Sequence, residues 1–373
     1  MNATIDYVVK KITDYYTRVR TPPYMLLTFG GLLLLYEGFW AGFPFSGLVG
    51  SGGGYSLELT ANAPSELLSL ARTMIAVLLI GVGGIWAFRD QQTERALTAR
   101  QVAIVIESRG LRDEDGRSLK EAVSAGAKGR VDELLVDLRR FNRDGRVEDP
   151  AGAADEIIQA HKDLRRRRAF KDRQDIAVVY GGLTPVPFTF LMGVLMDDQG
   201  AVSTWDWDRT REAWRKVDGQ DDGLRFKLTW EQPLEQPTEV VVAVSTSYPI
   251  LDENLARSFP GVPVMRLDLE GRGQDCHWSE SKQAALATQF LAALKDLEGL
   301  GVKTVRLVIA AQNSVVFRLG TRFERRNVPN AVVYQFERNA DPPFPWGVEL
   351  PAPGATKASI HLNASQRHKE TGG

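Results

Sequence analysis

The chain has little of the chemistry that marks metal sites, disulfide frameworks or catalytic centres. Its 373 residues include one cysteine, Cys276, and four histidines. A single cysteine excludes an internal disulfide framework and fits a reducing compartment. Cys276 and His277 are neighbours along the chain, which does not by itself make a nucleophile and its base. The histidines show no metal-ligand spacing, so we expect no metal ion, no cofactor and no catalytic residue.

An excess of basic residues is also missing. The formal net charge is −1, so no global positive field indicates binding to a DNA or RNA polymer. The glycine-rich stretch GSGGGY at 50–55 has no Gly-Lys-Ser/Thr ending. It is therefore interpreted as a flexible loop and not as a phosphate-binding loop.

Two long apolar runs near the N-terminus predict a pair of transmembrane helices. Residues 24–43 contain one charge, Glu37, and residues 67–88 contain only Arg72. Because about 20 helical residues span a hydrocarbon core of roughly 30 Å, both runs are long enough to cross a bilayer. The alternative is a pair of buried helices in a soluble core. The expected segments are an N-terminal stretch at 1–23, a transmembrane hairpin at 24–88 and a helical connector at 89–100.

Lysine and arginine flank this hairpin on one side. Lys10, Lys11, Arg18 and Arg20 precede the first run and Arg89 and Arg95 follow the second, whereas the loop between them has none. The positive-inside rule then places both termini and the large C-terminal region in the cytoplasm.

Glu37 is the ionisable group within the first run. It lies about 20 Å into the span, near enough to the outer interface for its side chain to snorkel. An ionisable group in a membrane is equally a candidate for a water-filled path or an interhelical contact in an assembly. Glu37 is therefore the membrane or pore candidate, and Gly30, Gly31, Gly81, Gly83 and Gly84 would allow close helix packing.

After the connector, short apolar runs alternate with helical stretches, which is typical of βαβ units and a parallel sheet. Five elements recur in the same order in two halves, residues 101–234 and 239–351, on either side of a Pro- and Glu-containing linker. We interpret this as an internal duplication of a Rossmann-like unit. The polar segment 352–373 is expected to be a mobile tail.

Polar corners follow the first and fourth elements of each half. Ligands bind beyond the carboxyl ends of strands in open parallel sheets, and hydroxyl and amide groups suit phosphates and base edges. Helix capping is the alternative role for each corner taken alone. The candidate ligand-binding residues are Glu107, Ser108, Arg109, Gly181, Gly182, Thr184, Pro185, Phe188, Trp207, Ser245, Thr246, Ser247, Tyr248, Gln312, Asn313 and Ser314. Trp205, Tyr334 and Phe336 are further candidate stacking faces.

Residues 178–195, VVYGGLTPVPFTFLMGVL, and 305–338, VRLVIAAQNSVVFRLGTRFERRNVPNAVVYQFER, resemble the SAVED domain. The resemblance covers roughly residues 101–351 and implies an α/β fold, two fused CARF-like Rossmann units with parallel-rich sheets, here preceded by a two-helix transmembrane hairpin. SAVED domains are the sensors of bacterial anti-phage CBASS effectors. They bind cyclic oligonucleotides made by a partner nucleotidyltransferase.

The resemblance therefore implies an effector of the bacterial inner membrane that is not an enzyme. A cyclic tri- or tetranucleotide would bind the SAVED domain and drive homo-oligomerisation, and the helices would then perforate the lipid bilayer and cause abortive infection. Two alternatives stay open. One is a membrane-tethered ring nuclease. The absence of His and Lys from the four corners argues weakly against it. The other is a passive membrane nucleotide receptor.

Overall fold

A computed structural model describes residues 22–42, 66–110, 118–127, 129–143, 145–169, 172, 175–197, 202–230, 237–350 and 357–363. They form two compact units, Met1–Ala99 and Arg100–Gly373. The described residues do not include 1–21, 43–65, 231–236, 351–356 and 364–373, so the predicted glycine-rich loop, the predicted linker and most of the predicted tail lie outside them.

The N-terminal unit contains two apolar helices, α1 (Pro22–Gly42) and α2 (Glu66–Arg100). Of the residues searched, Thr73–Arg95 is long and apolar enough to cross a bilayer, with a mean hydropathy of 1.5, and Pro23–Leu34 is a shorter apolar stretch. The apolar surface of α2 is widely exposed, with Leu70, Met74, Leu78 and Ile85 each 62–65% exposed. An apolar surface of this extent indicates contact with lipid or with other helices.

The two helices approach each other at glycines. A Cβ on Gly30 would lie 2.9 Å from the carbonyl oxygen of Ala76, and a Cβ on Gly83 would lie 2.9 Å from that of Pro23. Gly31, Gly81 and Gly84 have no heavy atom within 4 Å of such a Cβ. Two of the five glycines expected to allow close packing therefore do so within this hairpin. Helix α2 continues without a break through the segment predicted as a connector.

The first half of the C-terminal unit is built on a five-stranded sheet. Its strands are β1 (Val102–Arg109), β2 (Arg130–Asp137), β5 (Ile176–Leu183), β6 (Val202–Asp208) and β7 (Ala213–Lys216), in the order β2-β1-β5-β6-β7. The first four strands are parallel and β7 is antiparallel to β6. Its helices are α3 (Leu119–Ser124), α4 (Pro150–Arg168) and α5 (Val186–Leu195), with a 3-10 turn at Arg139–Phe141 and a small hairpin of β3 (Asn142–Arg143) and β4 (Arg146–Val147).

The second half repeats this plan. Strands β9 (Glu239–Ser245), β10 (Val264–Leu269), β11 (Thr304–Ala310), β12 (Asn330–Gln335) and β13 (Trp346–Glu349) occur in the order β10-β9-β11-β12-β13. The first four are parallel and β13 is antiparallel to β12. The helices are α6 (Asp252–Ser258), α7 (Glu280–Gly299) and α8 (Asn313–Thr321). The two halves thus have the same strand order and directions, and the predicted α/β class with two fused Rossmann-like units is confirmed.

Each half places one phenylalanine in the core of the other. Phe190 on α5 belongs to the second core, where its ring packs edge-on against Phe290 and Phe323. Phe317 on α8 belongs to the first core and stacks on Tyr180, with ring centroids 3.9 Å apart. Because each core is completed by the other half, the two halves fold as one body.

Two short strands lie where the sequence did not predict them. Strand β8 (Phe226–Trp230) falls within the predicted first half but pairs with β10, at the edge of the second sheet. Strand β14 (Ser359–Leu362) falls within the predicted mobile tail but pairs with β13, and Ile360 and Leu362 pack against the first core. The tail prediction is therefore wrong for 359–362, because these alternating apolar side chains find a surface that the local sequence does not reveal.

Candidate functional site

The C-terminal unit contains a cleft with a volume of 510 Å³ beyond the carboxyl ends of strands from both halves. The first half contributes residues at the ends of β5 and β6. The second half contributes the loops after β9, β11 and β12 and the segment before α7. Both halves therefore share one cleft at the edge of the sheet where ligands bind in open parallel folds. Its lining residues include Leu183, Val186, Asp206, Trp207, Arg209, Thr210, Ser247, Tyr248, Asn254, Gln274, Asp275, His277, Trp278, Gln312, Asn313, Phe336, Arg338 and Phe344.

Side chains of each half cap a helix of the other half beneath this cleft. Asp206, on β6, accepts a hydrogen bond at Oδ2 from the backbone N–H of Ser314 in the first turn of α8, at 3.0 Å. Gln335, at the end of β12, accepts at Oε1 from the N–H of Val186 in the first turn of α5, at 3.2 Å. Neither helix has a capping side chain of its own. These contacts satisfy N–H groups that would otherwise lack partners and join the two halves at the floor of the site.

Asn313 also acts across the two halves. Its Oδ1 accepts hydrogen bonds from the hydroxyl of Thr189 at 2.6 Å and from the N–H of Thr184 at 3.4 Å. Asn313 is predicted as a ligand contact and lines the cleft, yet its side-chain oxygen is already engaged. This oxygen therefore has a structural role between the two halves, although it caps no helix.

Two aromatic side chains stand at matching positions of the cleft. Trp207, on β6, is braced edge-on by Trp214 of the antiparallel neighbour β7, with centroids 5.6 Å apart. Phe336, directly after β12, is braced by Phe344, with centroids 5.5 Å apart. Trp207 is half-buried and Phe336 is 45% exposed. Both rings are held by aromatic neighbours and are accessible to a flat ligand.

The loop after β9 supplies the polar side of the cleft. Ser247 is half-buried and Tyr248 is exposed, with its hydroxyl accepting from Nε2 of Gln274 at 2.6 Å. Gln312 accepts from the hydroxyl of Thr246 at 2.9 Å and donates to the carbonyl of Gly273 at 2.7 Å. The predicted residues Ser247, Tyr248, Gln312 and Asn313 are thus brought together with Trp207 in one lining.

Three predicted residues of the second half lie beneath the lining. Ser245, Thr246 and Ser314 are each 1% exposed. The Ser245 hydroxyl donates to the carbonyl of Tyr248, and the Ser314 hydroxyl accepts from Gln283 at 2.9 Å. These hydroxyls fix the segments on which the cleft residues sit, a structural role that differs from the helix capping considered from the sequence.

The predicted site residues in the corners of the first half also lie outside the lining, to which the second of these corners contributes Leu183. Glu107 is buried, and its carboxylate accepts from the N–H of Leu119 at 2.8 Å and from Nε of Arg109 at 2.6 Å. Gly181 and Gly182 lie within β5, where a Cβ would meet Leu119 and the hydroxyl of Tyr180. Their small size is required for packing and not for approach to a ligand in this cleft. The remaining predicted residues, Ser108, Thr184, Pro185 and Phe188, sit in or next to the first core.

His277, which belongs to no catalytic or metal-binding motif in the sequence, is a further residue of the cleft. It lines the cleft with Nε2 3.5 Å from Oδ2 of Asp206, and its ring contacts that of Trp278 in a tilted arrangement, with centroids 4.3 Å apart. Both ring nitrogens are buried without a hydrogen-bond partner among the described residues. Burial lowers the pKa of His277, and the Asp206 and Asp275 carboxylates only partly oppose this. The imidazole is therefore neutral at pH 7.

Most of the other missed residues come from segments without a sequence motif. The segment 274–278, before α7, reaches the cleft only because β10 and α7 place it beside β6 and α8. Arg209 and Arg338 had a usable signal, since each ends the aromatic, acid-containing run that recurs in both halves. Among the described residues, no group of three or more His, Cys, Asp or Glu is arranged to hold a metal ion.

Comparisons with known proteins divide the chain into two matches. Residues 157–350 match the family model described as the SMODS-associated and fused to various effectors sensor domain, SAVED. Residues 2–154 match the model described as the SAVED-fused 2TM effector domain. The boundary between the matches falls within α4, so strands β1 and β2 lie in the effector match although they share a sheet with β5. No curated protein matches the chain.

The solved structures that this chain resembles are distant from it. The Acinetobacter baumannii Cap4 SAVED/CARF-domain containing receptor with the cyclic trinucleotide 2'3'3'-cAAA is 12% identical, with a TM-score of 0.46, covering 72% of this chain and 58% of that one. The Moraxella osloensis Cap4 SAVED/CARF-domain containing receptor is also 12% identical, with a TM-score of 0.43, covering 73% and 58%. This chain therefore spans less than two thirds of the length of these receptors.

Proposed function

Because this chain belongs to the SAVED sensor family and carries a SAVED-fused two-helix effector domain, we propose that it is a membrane effector switched on by a cyclic oligonucleotide. The ligand binds the cleft shared by the two Rossmann-like halves. The occupied sensor then assembles with further copies, and the assembled helices perforate the inner membrane.

The proposal that this chain binds a cyclic oligonucleotide rests on the cleft. It offers two braced aromatic rings, Trp207 and Phe336, together with amide and hydroxyl side chains at the carboxyl ends of parallel strands. Aromatic faces accept bases by stacking, and amides and hydroxyls suit base edges and phosphates. A cyclic tri- or tetranucleotide, made by a partner nucleotidyltransferase, has repeated bases and phosphates that suit a cleft built from a duplicated unit.

The membrane part rests on α1 and α2. Two helices of one chain cannot enclose a channel, so a pore requires several chains. The exposed apolar residues of α2 provide a surface for both lipid and neighbouring helices. The ligand favours assembly only by its tighter affinity for the assembled state. Both termini lie in the cytoplasm in this proposal, as the distribution of lysine and arginine indicates.

The position of His277 is a specific observation that favours the ring-nuclease alternative. The argument against a nuclease from the absence of His at the corners no longer holds in full, because the fold brings His277 beside Asp206 at the cleft. A neutral imidazole beside a carboxylate is the pairing of a general base. Its two ring nitrogens are buried, however, so they would reach a ligand only after the side chain moved. The sensor therefore remains the better-supported function.

One experiment separates the candidates. The full chain is reconstituted in liposomes that contain a dye and is titrated with cyclic di-, tri- and tetranucleotides of adenosine and guanosine. Binding, particle mass, leakage and the integrity of the ring are measured together. A ring that binds intact, increases the mass and releases dye supports the proposal. Linear products identify a nuclease, binding without leakage identifies a passive receptor, and no binding by any ring overturns the sensor itself.

A further inference from the structure

An aromatic residue and an arginine recur, two positions apart, at the end of the fourth strand of each half. Trp207 and Arg209 follow this pattern in the first half, and Phe336 and Arg338 follow it in the second. All four residues line the cleft. Each arginine lies two residues beyond its aromatic partner, in the turn that follows the strand, and lines the same cleft, so each pair is placed to act together.

The two pairs have equivalent surroundings. Trp207 is braced by Trp214 on β7, and Phe336 is braced by Phe344, which lies just before β13. Strands β7 and β13 are the antiparallel neighbours of β6 and β12. Both arginines lie in the turn that follows the strand and both are exposed. The internal duplication has therefore preserved the bracing aromatic residue as well as the pair itself.

Arg209 and Arg338 have no ion pair and no hydrogen bond from their guanidinium groups within the described part of the chain. Nearby arginines differ, because Arg211 and Arg215 both lie 3.6 Å from the carboxylate of Asp208. Two free guanidinium groups in one cleft suit an anionic ligand, since each can bind a phosphate with paired hydrogen bonds.

The carboxylates that line the cleft already accept hydrogen bonds from N–H groups of the protein. Asp206 accepts hydrogen bonds from the N–H groups of Trp207 and Ser314. Asp275 accepts one from Nε1 of Trp278 at 3.2 Å. Among the described lining residues, the permanently charged donors are thus the two arginines, each two residues beyond one of the two aromatic rings.

We propose that the cleft contains two equivalent nucleotide subsites, one formed by Trp207 and Arg209 and the other by Phe336 and Arg338. In each subsite the aromatic ring stacks on a base and the arginine binds the adjoining phosphate. This deepens the proposed function and rests on it, because the ligand is a cyclic oligonucleotide. Such a ligand places two of its nucleotides in the two halves, and any further nucleotide lies between them.

The test compares Arg209→Gln and Arg338→Gln with the matched controls Arg211→Gln and Arg326→Gln, which change exposed arginines outside the cleft lining. Affinity of the full chain is measured by calorimetry in detergent for cyclic di-, tri- and tetra-adenylate and the corresponding guanylates. Each cleft variant should lose about tenfold or more in affinity for the ring that the unmodified chain binds, as expected for a lost charge-assisted hydrogen bond. The controls should bind as the unmodified chain does.

Aromatic variants complete the test. Trp207→Leu and Phe336→Leu should each weaken binding while leaving its salt dependence unchanged, whereas the arginine variants should reduce that salt dependence. Loss of affinity in one half only would overturn the two-subsite inference but leave the sensor function standing. Unchanged binding in all four cleft variants would also overturn the two-subsite inference and leave the sensor function standing. Absence of binding by the unmodified chain would overturn both.

Discussion

Gly193 and Gly320 meet where α5 and α8 cross. A Cβ on Gly193 would lie 3.0 Å from Cα of Gly320 and 2.3 Å from the carbonyl oxygen of Phe317. A Cβ on Gly320 would lie 3.1 Å from Cα of Gly193 and 2.4 Å from the carbonyl oxygen of Phe190. Gly193 and Gly320 occupy equivalent positions in the two corresponding helices, three residues after Phe190 and Phe317. Their repetition is thereby explained, because each half supplies one side of a close helix crossing.

Replacing Gly193 by alanine should destabilise the fold. Alanine favours a helix over glycine by up to about 1 kcal/mol, but the added Cβ would overlap backbone, and overpacking costs about 1–3 kcal/mol. The steric cost therefore wins, and the melting temperature of Gly193→Ala and of Gly320→Ala should fall. Gly299→Ala is the control, because a Cβ at the end of α7 has no heavy atom within 4 Å. A Gly193→Ala variant as stable as that control would contradict the crossing.

The duplication, the parallel-rich sheets and the edge of the sheet at which the cleft lies were predictable from sequence, because they depend on periodicity and on residues that recur. The exact lining was not. Ser245 and Ser247 belong to the same short corner, yet one is buried and the other lines the cleft. The orientation of a side chain after a strand depends on the local turn, and His277 reaches the cleft through tertiary packing alone. Sequence patterns carry no information about either.

Removing the charge of Asp206 should loosen the junction between the halves. Asp206→Asn keeps the size of the side chain but weakens the hydrogen bonds to two backbone N–H groups and the interaction with the N-terminus of α8. A loss of about 1–2 kcal/mol in the free energy of unfolding is expected. Asp163→Asn, on the exposed face of α4, is the control and should cost about 1 kcal/mol or less, as surface ion pairs do. Chemical denaturation of the detergent-solubilised chain measures the free energy of unfolding of both variants. Equal losses would show that Asp206 does not hold the two halves together.

His277 should make the fold sensitive to mild acid. Its pKa is lowered in the folded state by burial, whereas in the unfolded chain it lies near 6.5. Its contribution to stability is thus fully present above about pH 6.5 and is lost as the pH falls through the lower pKa of the folded state, because the unfolded state binds the proton more tightly. The melting temperature of the unmodified chain should therefore fall between pH 7.5 and 5.5 by more than that of His277→Gln. Parallel decreases would show that this imidazole does not titrate in the window.

Close packing of the two apolar helices should depend on Gly30 and not on Gly31. A Cβ at Gly30 would lie 2.7 Å from Cγ1 of Ile80, whereas a Cβ at Gly31 meets no heavy atom within 4 Å. Gly30→Val should separate α1 from α2 and reduce disulfide crosslinking between cysteines placed at Leu26 and Gly83, since a Cβ on Gly83 would lie 3.1 Å from Cβ of Leu26. Gly31→Val, a substitution of the same size one position along, should leave the crosslinking yield unchanged. Equal effects of the two variants would show that the hairpin does not pack through Gly30.

A substitution at Glu37 should separate ligand binding from membrane damage. The residue lies in α1, in a different compact unit from the cleft, so Glu37→Gln should leave the affinity for the cyclic oligonucleotide unchanged. If the carboxylate lines a water-filled path in the assembled effector, removing its charge changes the rate or the ion selectivity of leakage from liposomes. If the side chain instead snorkels to the outer interface, leakage is the same as for the unmodified chain. Comparing cation and anion leakage at matched ligand occupancy decides between these roles, because a charge that lines a path acts on permeant ions of opposite sign differently. A change in ligand affinity itself would show that the helices and the sensor are coupled in the absence of a pore.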